Sequence, residues 1–383
     1  MRKGIYIRYG TKGTVSGVDK KVRDQIEAFS AYFGMYEILI EKENASIFQS
    51  VLWRLPGGSW GAKYDEALDR VKSINKDING IDFFYIRVMN PDKRFISFLR
   101  QLRNLYPGAK VLLEFPTYPY ESSLLHSATF WPWYFKNLYH RRYLKSFVDR
   151  AVTFSPDNTI NGIETIRIRN GISMEDNADP GSEDQDIDSG DTAINLLAVA
   201  QFQKAHGYEM VIKSMAHYYR TGDSEKKRKV VVHMVGDGKK KANYEKMVKK
   251  YNLEDSIRFY GFLTGEDLEH MYRIADIGLG SFEGDKTKPI VSSSLKVRGY
   301  LSHGLPVVSG SDEDAFPDKS EFFFRIPNGC ELIDIESIIE FYDNLRDKHD
   351  KVEIRRLVRE YAKRVVDVNV TMKPVIDFIL SES

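Results

Sequence analysis

The sequence alternates short apolar runs with longer amphipathic stretches, and this alternation is the feature that most constrains its fold. Short apolar runs are typical of buried strands, and amphipathic stretches are typical of helices that cover a sheet. In the first half, the pattern predicts strands at residues 3–9, 35–40, 81–87, 109–115, 151–155 and 165–168. It predicts helices at residues 18–33 and 92–106. Strands that alternate with helices indicate an α/β fold with a parallel sheet covered on both faces.

The alternation stops at an acidic segment and then starts again. Residues 175–191 contain eight Asp and Glu residues and no Lys or Arg. Such a segment repels itself and cannot bury apolar area, so we interpret residues 175–192 as a linker; an acidic loop inside one domain is the alternative. Beyond it, the pattern predicts strands at 194–200, 229–235, 256–260, 276–280 and 306–309. It predicts helices at 208–219, 239–251, 265–274, 293–302, 335–347 and 353–365.

The two stretches of alternation predict two doubly wound α/β domains. We place an N-terminal domain at residues 1–174 and a C-terminal domain at residues 193–366, with residues 367–383 as a further helical segment. Ligands of such sheets bind beyond the carboxyl ends of the strands. We therefore expect the active site in a cleft between the two domains.

Charge and cysteine content exclude several classes of protein. The 383 residues carry 56 Lys and Arg against 55 Asp and Glu, and this balance argues against a nucleic-acid binder. The single cysteine, Cys330, excludes an internal disulfide and any site with several cysteine ligands.

The first residues hold no signal peptide, and no apolar run approaches the ~18 residues of a membrane span. We expect a cytoplasmic protein.

Glycine turns follow two of the predicted strands. The loop of residues 10–17 includes Gly13 and Gly17, and glycines let backbone N–H groups approach an anion. The loop has neither the dinucleotide-binding fingerprint nor a Gly-Lys-Ser/Thr sequence, which argues against nicotinamide and P-loop sites. It is either a phosphate-facing loop or a loop without a ligand. Gly236 and Gly238 form a second turn, which is also compatible with ordinary turn chemistry.

A serine-rich segment precedes the predicted helix at 293–302. Ser293 and Ser294 are residue types that cap helices, and the free N–H groups of a helix terminus favour an anion. Lys296 adds a cation within the first turn, so a diphosphate would suit this place. The alternative is a plain serine cap beside a surface lysine.

An aromatic and basic window covers residues 130–147. It contains eight aromatic residues, four Lys and Arg residues and no carboxylate. Such a composition suits peripheral contact with an anionic membrane surface. A half-buried helix whose aromatic residues belong to the core is the alternative.

The order of segments in the C-terminal half resembles that of family-four glycosyltransferases of the GT-B type. The segments that resemble this family are INLLAVAQFQKAHGYEMVI at 194–212, the glycine turn at 235–238, FYGF at 259–262, MYRIADI at 271–277 and SLKVRGYLSHGLPVV at 294–308. An Asn-Gly hinge at 170–172 precedes them. In the N-terminal half, the similarity is mainly in the glycine loop and in EFPTYPY at 114–120, and capsule and exopolysaccharide enzymes carry similar segments.

The resemblance implies a GT-B fold, with two Rossmann-like domains facing across a cleft and a last helix returning to the N-terminal domain. It implies a retaining, metal-independent transfer of sugar from a nucleotide-sugar donor to a glycan or lipid-linked acceptor, without a cofactor. Surface polysaccharide biosynthesis is the implied role, at the inner face of the membrane. An Asp-x-Asp pattern at residues 184–188 follows no strand, and we do not expect it to bind metal.

Several positions depart from the family pattern. Gln201 and His206 stand where the family has an Arg and a Lys that bind the diphosphate, and a protonated His206 would partly replace that lysine. Gly299 stands where the family has a ribose-binding glutamate. Glu114 stands where the family often has a histidine, either as a proton acceptor or as a structural group. These departures keep an alternative open: an inactive GT-B-like protein that binds a glycan or a partner enzyme.

The resemblance and the motifs together give the candidate site residues. Glu114 and Lys296 are the catalytic candidates. The donor-binding candidates are Gly13, Gly17, Gln201, His206, Gly236, Gly238, Glu283, Ser293, Ser294 and Leu295. The acceptor-binding candidates are Thr117, Tyr118 and His126.

Overall fold

A computed structural model describes most of the chain and divides it into two compact units. The described residues are 1–10, 17–41, 63–87, 91–116, 118, 131–174, 193–221, 227–282, 291–318, 320–327 and 330–381. Unit 1 comprises Met1–Arg169 and Thr371–Ser383, and unit 2 comprises Asn170–Val370. The expected linker at 175–192 lies outside the described residues.

The division falls a few residues away from the predicted domain boundaries at 174 and 366. The segment before the expected linker belongs to unit 2 because its backbone pairs with the end of that unit. The N–H of Ile172 donates to the carbonyl of Val366 at 3.0 Å, and the N–H of Val368 donates to the carbonyl of Ile172 at 3.0 Å.

Unit 1 is a seven-stranded sheet with helices. Its strands are β1 (Lys3–Gly10), β2 (Gly34–Glu41), β3 (Phe83–Arg87), β4 (Lys110–Phe115), β5 (Arg150–Thr153), β6 (Thr159–Ile160) and β7 (Ile163–Arg167). Its first four helices are α1 (Gly17–Ser30), α2 (Tyr64–Ile78), α3 (Lys93–Leu105) and α4 (Trp131–His140). The strand order is β2-β1-β3-β4-β5-β7-β6, and only the β6–β7 pair is antiparallel.

Local chemistry explains where these elements begin. The Asp92 carboxylate accepts from the N–H of Phe95 at 2.8 Å, so the predicted helix at 92–106 has Asp92 as its cap and begins at Lys93. The sequence predictions do not include α2. Its buried residues Ala67, Leu68 and Val71 nevertheless have helical spacing, which was the available signal.

Unit 2 contains a six-stranded sheet, a two-stranded sheet and a second set of helices. The strands are β8 (Ile194–Val199), β9 (Val230–Val235), β10 (Ile257–Gly261), β11 (Ile277–Leu279), β12 (Val291–Ser292), β13 (Val307–Ser309), β14 (Asp312–Glu313) and β15 (Phe323–Arg325). The helices are α5 (Tyr208–Arg220), α6 (Lys241–Tyr251), α7 (Gly265–Ile274), α8 (Leu295–Ser302), α9 (Ile335–Arg346) and α10 (Lys351–Val365). The larger sheet has the order β10-β9-β8-β11-β13-β15, and all its pairs are parallel.

Each unit has its own hydrophobic core between its sheet and its helices.

The helix predicted at 293–302 begins at Leu295 instead, because Val291–Ser292 forms strand β12 and pairs with β14. β15 extends the larger sheet beside β13 and is absent from the sequence predictions. The α/β class with parallel sheets is confirmed.

The last helix, α11 (Val368–Leu380), connects the two units. Its C-terminal part contacts unit 1: Lys110 Nζ donates to the carbonyl of Phe378 at 2.8 Å, and Met372 Sδ lies 3.6 Å from Gln25 Nε2. Across the described ranges, no helix combines the length and the apolar character that crossing a membrane requires.

Candidate functional site

The sheet of unit 2 has a topological switch point at β8. The chain passes from β8 to its neighbour β9 and later returns to the opposite side of β8 as β11. Loops that leave adjacent strands in opposite directions open a crevice, which is where α/β sheets bind ligands. A backbone hydrogen bond joins the loop after β8 to the loop after β11. In this bond, the N–H of Phe282 donates to the carbonyl of His206 at 2.9 Å.

Lys296 lies in the first turn of α8 and reaches this switch point. Its Nζ donates to the hydroxyl of Tyr208 and to the carbonyl of Gly280, both at 3.1 Å. Burial lowers the pKa of Lys296 to about 7, although the carboxyl of Glu313 acts in the opposite direction. The structure thus places a cation beside the loops that follow β8 and β11.

His206 lies next to Lys296 but carries no charge at neutral pH. Burial and, secondly, the charge of Lys296 lower the pKa of His206 to about 4. Partial replacement of the family's lysine by His206 requires the protonated form, which a pKa of about 4 does not favour at neutral pH. Lys296, with a pKa of about 7, supplies positive charge at this place in its protonated form.

Gln201 is exposed on the loop that follows β8. Its side-chain oxygen accepts a hydrogen bond from Gln203 Nε2 at 3.1 Å, so the contact remains within its own loop. A neutral amide cannot supply the charge that the family's arginine brings to a diphosphate.

Gly236 and Gly238 let the loop after β9 pack closely against the loop after β8. Both have positive φ values, 130° and 146°. At Gly236, a Cβ atom would lie 1.9 Å from the carbonyl oxygen of Ala200. At Gly238, it would lie 2.5 Å from the carbonyl oxygen of Phe202. These glycines shape the loop at the switch point, whereas their direct contact with a donor stays a prediction.

The serines before α8 do not cap it through their hydroxyl groups. Ser294 occupies the cap position without a side-chain bond to the helix. The hydroxyl of Ser293 accepts from the N–H of Asn170 at 3.0 Å and binds Arg298, so it holds the hinge segment against the helix. Leu295 is the first helical residue, and its side chain is partly buried.

Glu313 is a buried carboxyl at the N-terminus of α8 that no motif in the sequence indicated. Its Oε2 lies 3.4 Å from the N–H of Ser294 and 3.8 Å from Arg298 Nη1, whereas its Oε1 is buried without a hydrogen-bond partner. Burial raises the pKa of Glu313 to about 7 against the effect of Arg298. A carboxyl here competes with a phosphate when it is ionised and does not when it is protonated.

Arg298 and Gly299 fix the buried side of α8. Arg298 is fully buried, donates from Nε to the carbonyl of Asn170 at 2.9 Å and forms an ion pair with Asp314. At Gly299, a Cβ atom would lie 2.9 Å from the hydroxyl of Tyr272. A side chain at position 299 would therefore require Tyr272 to move.

The sheet of unit 1 has a switch point of the same kind at β1. This strand lies between β2 and β3, and its residue Arg8 is in register with Arg87 of β3, which in turn is in register with Glu114 of β4. In-register residues of parallel strands point to the same face, so these three side chains lie at one level near the carboxyl edge.

Glu114 is fully buried within a network of donors. Its carboxylate accepts from Lys21 Nζ at 2.9 Å, from the hydroxyl of Tyr85 at 2.8 Å and from Arg87 Nε at 3.2 Å. Burial raises the pKa of Glu114, but the charges of Lys21 and Arg87 outweigh it and hold the pKa at about 2. Such a carboxylate is a weak proton acceptor, and its contacts are those of a residue that positions two cations.

The remaining predicted residues have mixed outcomes. Gly17 is the first residue of α1, and Tyr118 is partly buried against the core of unit 1. The structure does not describe Gly13, Thr117, His126 or Glu283, so their predicted roles stay predictions. Among the residues that the structure does describe, no group of three or more His, Cys, Asp and Glu side chains is placed to hold a metal ion.

The aromatic window has a buried part and an exposed part. Trp133 and Leu144 are buried, as the core interpretation predicts. Trp131, Phe135 and Tyr139, spaced four residues apart along α4, are 52%, 62% and 53% exposed. One face of the helix therefore packs inwards and another presents aromatic rings outwards.

Comparison with known proteins adds to this geometry. Residues 182–279 match the family model described as glycosyl transferases group 1. No curated protein sequence matches the chain. The Anabaena protein Alr3699/HepE, solved in complex with UDP-glucose, has a TM-score of 0.57 and 13% identity, with 98% of this chain and 99% of that chain covered.

Two further solved structures are similar over nearly the whole chain. The lipopolysaccharide outer core galactosyltransferase WaaB has a TM-score of 0.57 and 12% identity, with 98% of this chain and 99% of that chain covered. Sucrose-phosphate synthase from Thermosynechococcus elongatus has a TM-score of 0.59 and 15% identity, and both chains are covered completely. The fold is GT-B. At these identities the similarity to solved GT-B structures is one of fold.

Proposed function

We propose that this GT-B protein transfers a sugar from a nucleotide-sugar donor to a glycan or lipid-linked acceptor in surface polysaccharide biosynthesis. The observation that carries the proposal is Lys296, held beside the two loops at the switch point of unit 2. The match to group 1 glycosyl transferases at 182–279 and the UDP-glucose bound to a structural neighbour support it.

In this proposal, catalysis consists mainly of stabilising the leaving diphosphate. Lys296 and the N-terminal N–H groups of α8 would bind the charge that develops as the bond to the sugar breaks. The proposal includes transfer with retention and without a metal ion, both implied by the family resemblance. Lys296 at the helix terminus would supply charge that a metal supplies in other transferases.

The proposed acceptor site is in unit 1, at the carboxyl edge of its sheet. Glu114 would act there as a positioning residue, because Lys21 and Arg87 already hold its carboxylate in the ionised form. The exposed aromatic face of α4 would meet the membrane surface and so bring the protein to a lipid-linked acceptor. This contact would lie on the cytoplasmic side.

A glycan-binding or partner subunit without activity is the second candidate. Gln201 and Gly299 favour it, because neither can supply the charged contact that the family's side chains make. The two candidates differ in one measurable property, since only an enzyme hydrolyses or transfers the sugar of a bound donor.

Replacement of Lys296 by alanine tests the proposal. We expect Lys296→Ala to weaken binding of UDP by about 10- to 150-fold, because one charge-assisted contact contributes roughly 1.5–3 kcal/mol. Lys240 is unsuitable as a control because it pairs with Glu209 at 2.9 Å. The exposed Lys246 on α6 is a better one, and Lys246→Ala should leave the affinity unchanged in a calorimetric titration.

The same preparations distinguish the two candidates. Release of free sugar from UDP-sugars by the wild-type protein, lost in Lys296→Ala, would support the enzyme. Tight binding without any turnover would favour the inactive subunit. Equal affinity of both lysine variants for UDP would remove Lys296 from the donor site.

A further inference from the structure

Glu114 is the centre of a polar network that includes two cations. Lys21 and Arg87 both contact this single carboxylate, at 2.9 Å and 3.2 Å. Further ion pairs lie in the same part of unit 1. Asp19 and Glu37 pair with Arg8, and Asp24 pairs with Lys20.

Arg87 uses only part of its hydrogen-bonding capacity in this network. Its Nε donates to Glu114, and neither Nη atom has a hydrogen-bond partner among the residues that the structure describes. The side chain is 15% exposed, so the guanidinium is held in place and remains accessible from one side. A fork of N–H donors in a fixed position suits an oxyanion that can accept two parallel bonds.

The ion pair with Glu114 accounts for one of the three guanidinium nitrogens of Arg87. Lys21 already neutralises Glu114, with its Nζ at the shorter distance, and the hydroxyl of Tyr85 occupies the other carboxylate oxygen at 2.8 Å. One cation is enough to pair with this carboxylate, and burying a second one costs free energy.

The position of Arg87 in the sheet indicates a ligand. Arg87 is the last residue of β3, which lies next to β1 at the switch point of unit 1. Helix α1 directs its first turns to the same edge, since its residue Lys21 reaches Glu114 there. The positive end of a 14-residue helix and a guanidinium together favour a phosphate group.

We propose that Arg87 binds a phosphate group carried by the acceptor, so that the protein glycosylates a phosphorylated acceptor. This inference rests on the proposed function, because it concerns the acceptor of the same reaction. The phosphate is either that of a soluble phosphomonoester or that of a lipid headgroup.

The test uses the full chain and two forms of the same phosphate. Glycerol 1-phosphate is the soluble probe, with glycerol as the neutral probe. Phosphatidylcholine vesicles with and without phosphatidic acid form the lipid arm. We expect wild-type protein to bind at least one phosphate probe, and Arg87→Gln to weaken that binding by roughly tenfold or more.

Two further variants control for charge and folding. Arg70 is exposed on α2, so Arg70→Gln removes one positive charge from the same unit and should leave phosphate binding unchanged. The double variant R87Q/E114Q keeps the net charge of the network and should lose phosphate binding as Arg87→Gln does. This double variant also shows whether the loss follows from an unbalanced buried carboxylate.

Three results would overturn the inference. Wild-type protein could fail to bind either phosphate probe, R87Q and R70Q could lose the same amount of affinity, or the protein could prefer glucuronate over glycerol 1-phosphate. Binding of UDP to each variant is measured in parallel. Normal UDP binding with no effect at Arg87 rejects the acceptor phosphate alone, whereas absence of UDP binding in the wild type rejects the proposed function.

Discussion

Lys296 and Glu313 lie near the same helix terminus, and burial shifts their pKa values towards each other. Burial lowers the pKa of Lys296 to about 7 and raises that of Glu313 to about 7. A diphosphate binds best there when Lys296 is protonated and Glu313 is neutral. We therefore expect donor binding to depend on pH through these two residues.

The affinity for UDP-glucose should fall between about pH 6 and about pH 8. As pH rises through 7, Lys296 loses its proton and Glu313 gains a negative charge, so both changes weaken binding. Calorimetric titration of UDP-glucose is suitable because its diphosphate has no group that titrates in this range. Glu313→Gln should flatten the profile, and an equally steep profile in this variant would exclude Glu313 as a contributor.

Replacement of Glu114 should destabilise the protein strongly at neutral pH. Glu114→Gln leaves the partners Lys21 and Arg87 without their carboxylate, which typically costs about 3–5 kcal/mol for a buried pair. Glu37→Gln, which removes the half-exposed partner of Arg8, should cost less than about 1 kcal/mol. Urea unfolding at pH 7 measures both changes.

The cost of Glu114→Gln should also depend on pH. The pKa of Glu114 is about 2 in the folded protein and 4.5 ordinarily, so its contribution is present above 4.5 and is lost as pH falls towards 2. The difference between wild type and variant should shrink over that interval. A difference independent of pH would show that packing, and not charge, causes the loss.

At the scale of elements, α4 has two faces that its composition does not distinguish. Trp133 is 8% exposed and Phe135 is 62% exposed, although they are two residues apart in one aromatic run. Arg142 lies over the ring of Tyr139 at 4.0 Å, so charge and aromatic surface are combined on the outer side. This arrangement is typical of helices that lie in a membrane interface.

Variants on the two faces of α4 should separate membrane contact from stability. Phe135→Ser should reduce co-sedimentation with anionic vesicles and leave the melting temperature nearly unchanged. Trp133→Ala should destabilise the protein by about 3–5 kcal/mol, because it creates a cavity. R141E/R142E should reduce vesicle binding further, since each basic residue contributes about 1 kcal/mol near an anionic surface.

The membrane proposal is rejected if wild-type protein does not bind anionic vesicles at low salt. In that case the acceptor is soluble or is delivered by a partner protein. A drop in melting temperature in Phe135→Ser as large as in Trp133→Ala would show that the outer face is part of the core.

At the scale of the whole molecule, the chain crosses twice between its units. It enters unit 2 at Asn170 and returns to unit 1 at Thr371. Residues before the acidic segment pair with the end of unit 2 through Ile172, and the last helix contacts unit 1 through Met372 and Phe378. Each half of the sequence therefore contributes a segment to the unit formed by the other.

Limited digestion with a protease specific for acidic residues should cut first within residues 175–191. The eight carboxylates of this segment favour a linker that cannot join a core. The two fragments should co-elute in gel filtration, because each contributes a segment to the other's unit. Early cutting elsewhere would contradict the linker, and separation of the fragments without denaturant would contradict the exchange of segments.

Most elements of the fold could be predicted from the sequence because hydrophobic periodicity is a local property. The strand predicted at 194–200 and the helix predicted at 265–274 agree with β8 and α7 to within one residue. The short strands β12 and β14 could not be predicted, because two residues carry no period and pair only once the chain is folded.

The sequence by itself determined the α/β class and the glycine turns, and it places Lys296 beside a serine-rich helix start. Tertiary structure alone decided the chemistry around these residues, because pKa values depend on neighbours that are distant in sequence. It made His206 neutral, brought Glu313 to the start of α8, and joined Lys21, Arg87 and Glu114 into one network. Burial and charge pairing exist only after folding, so no pattern along the chain could indicate them.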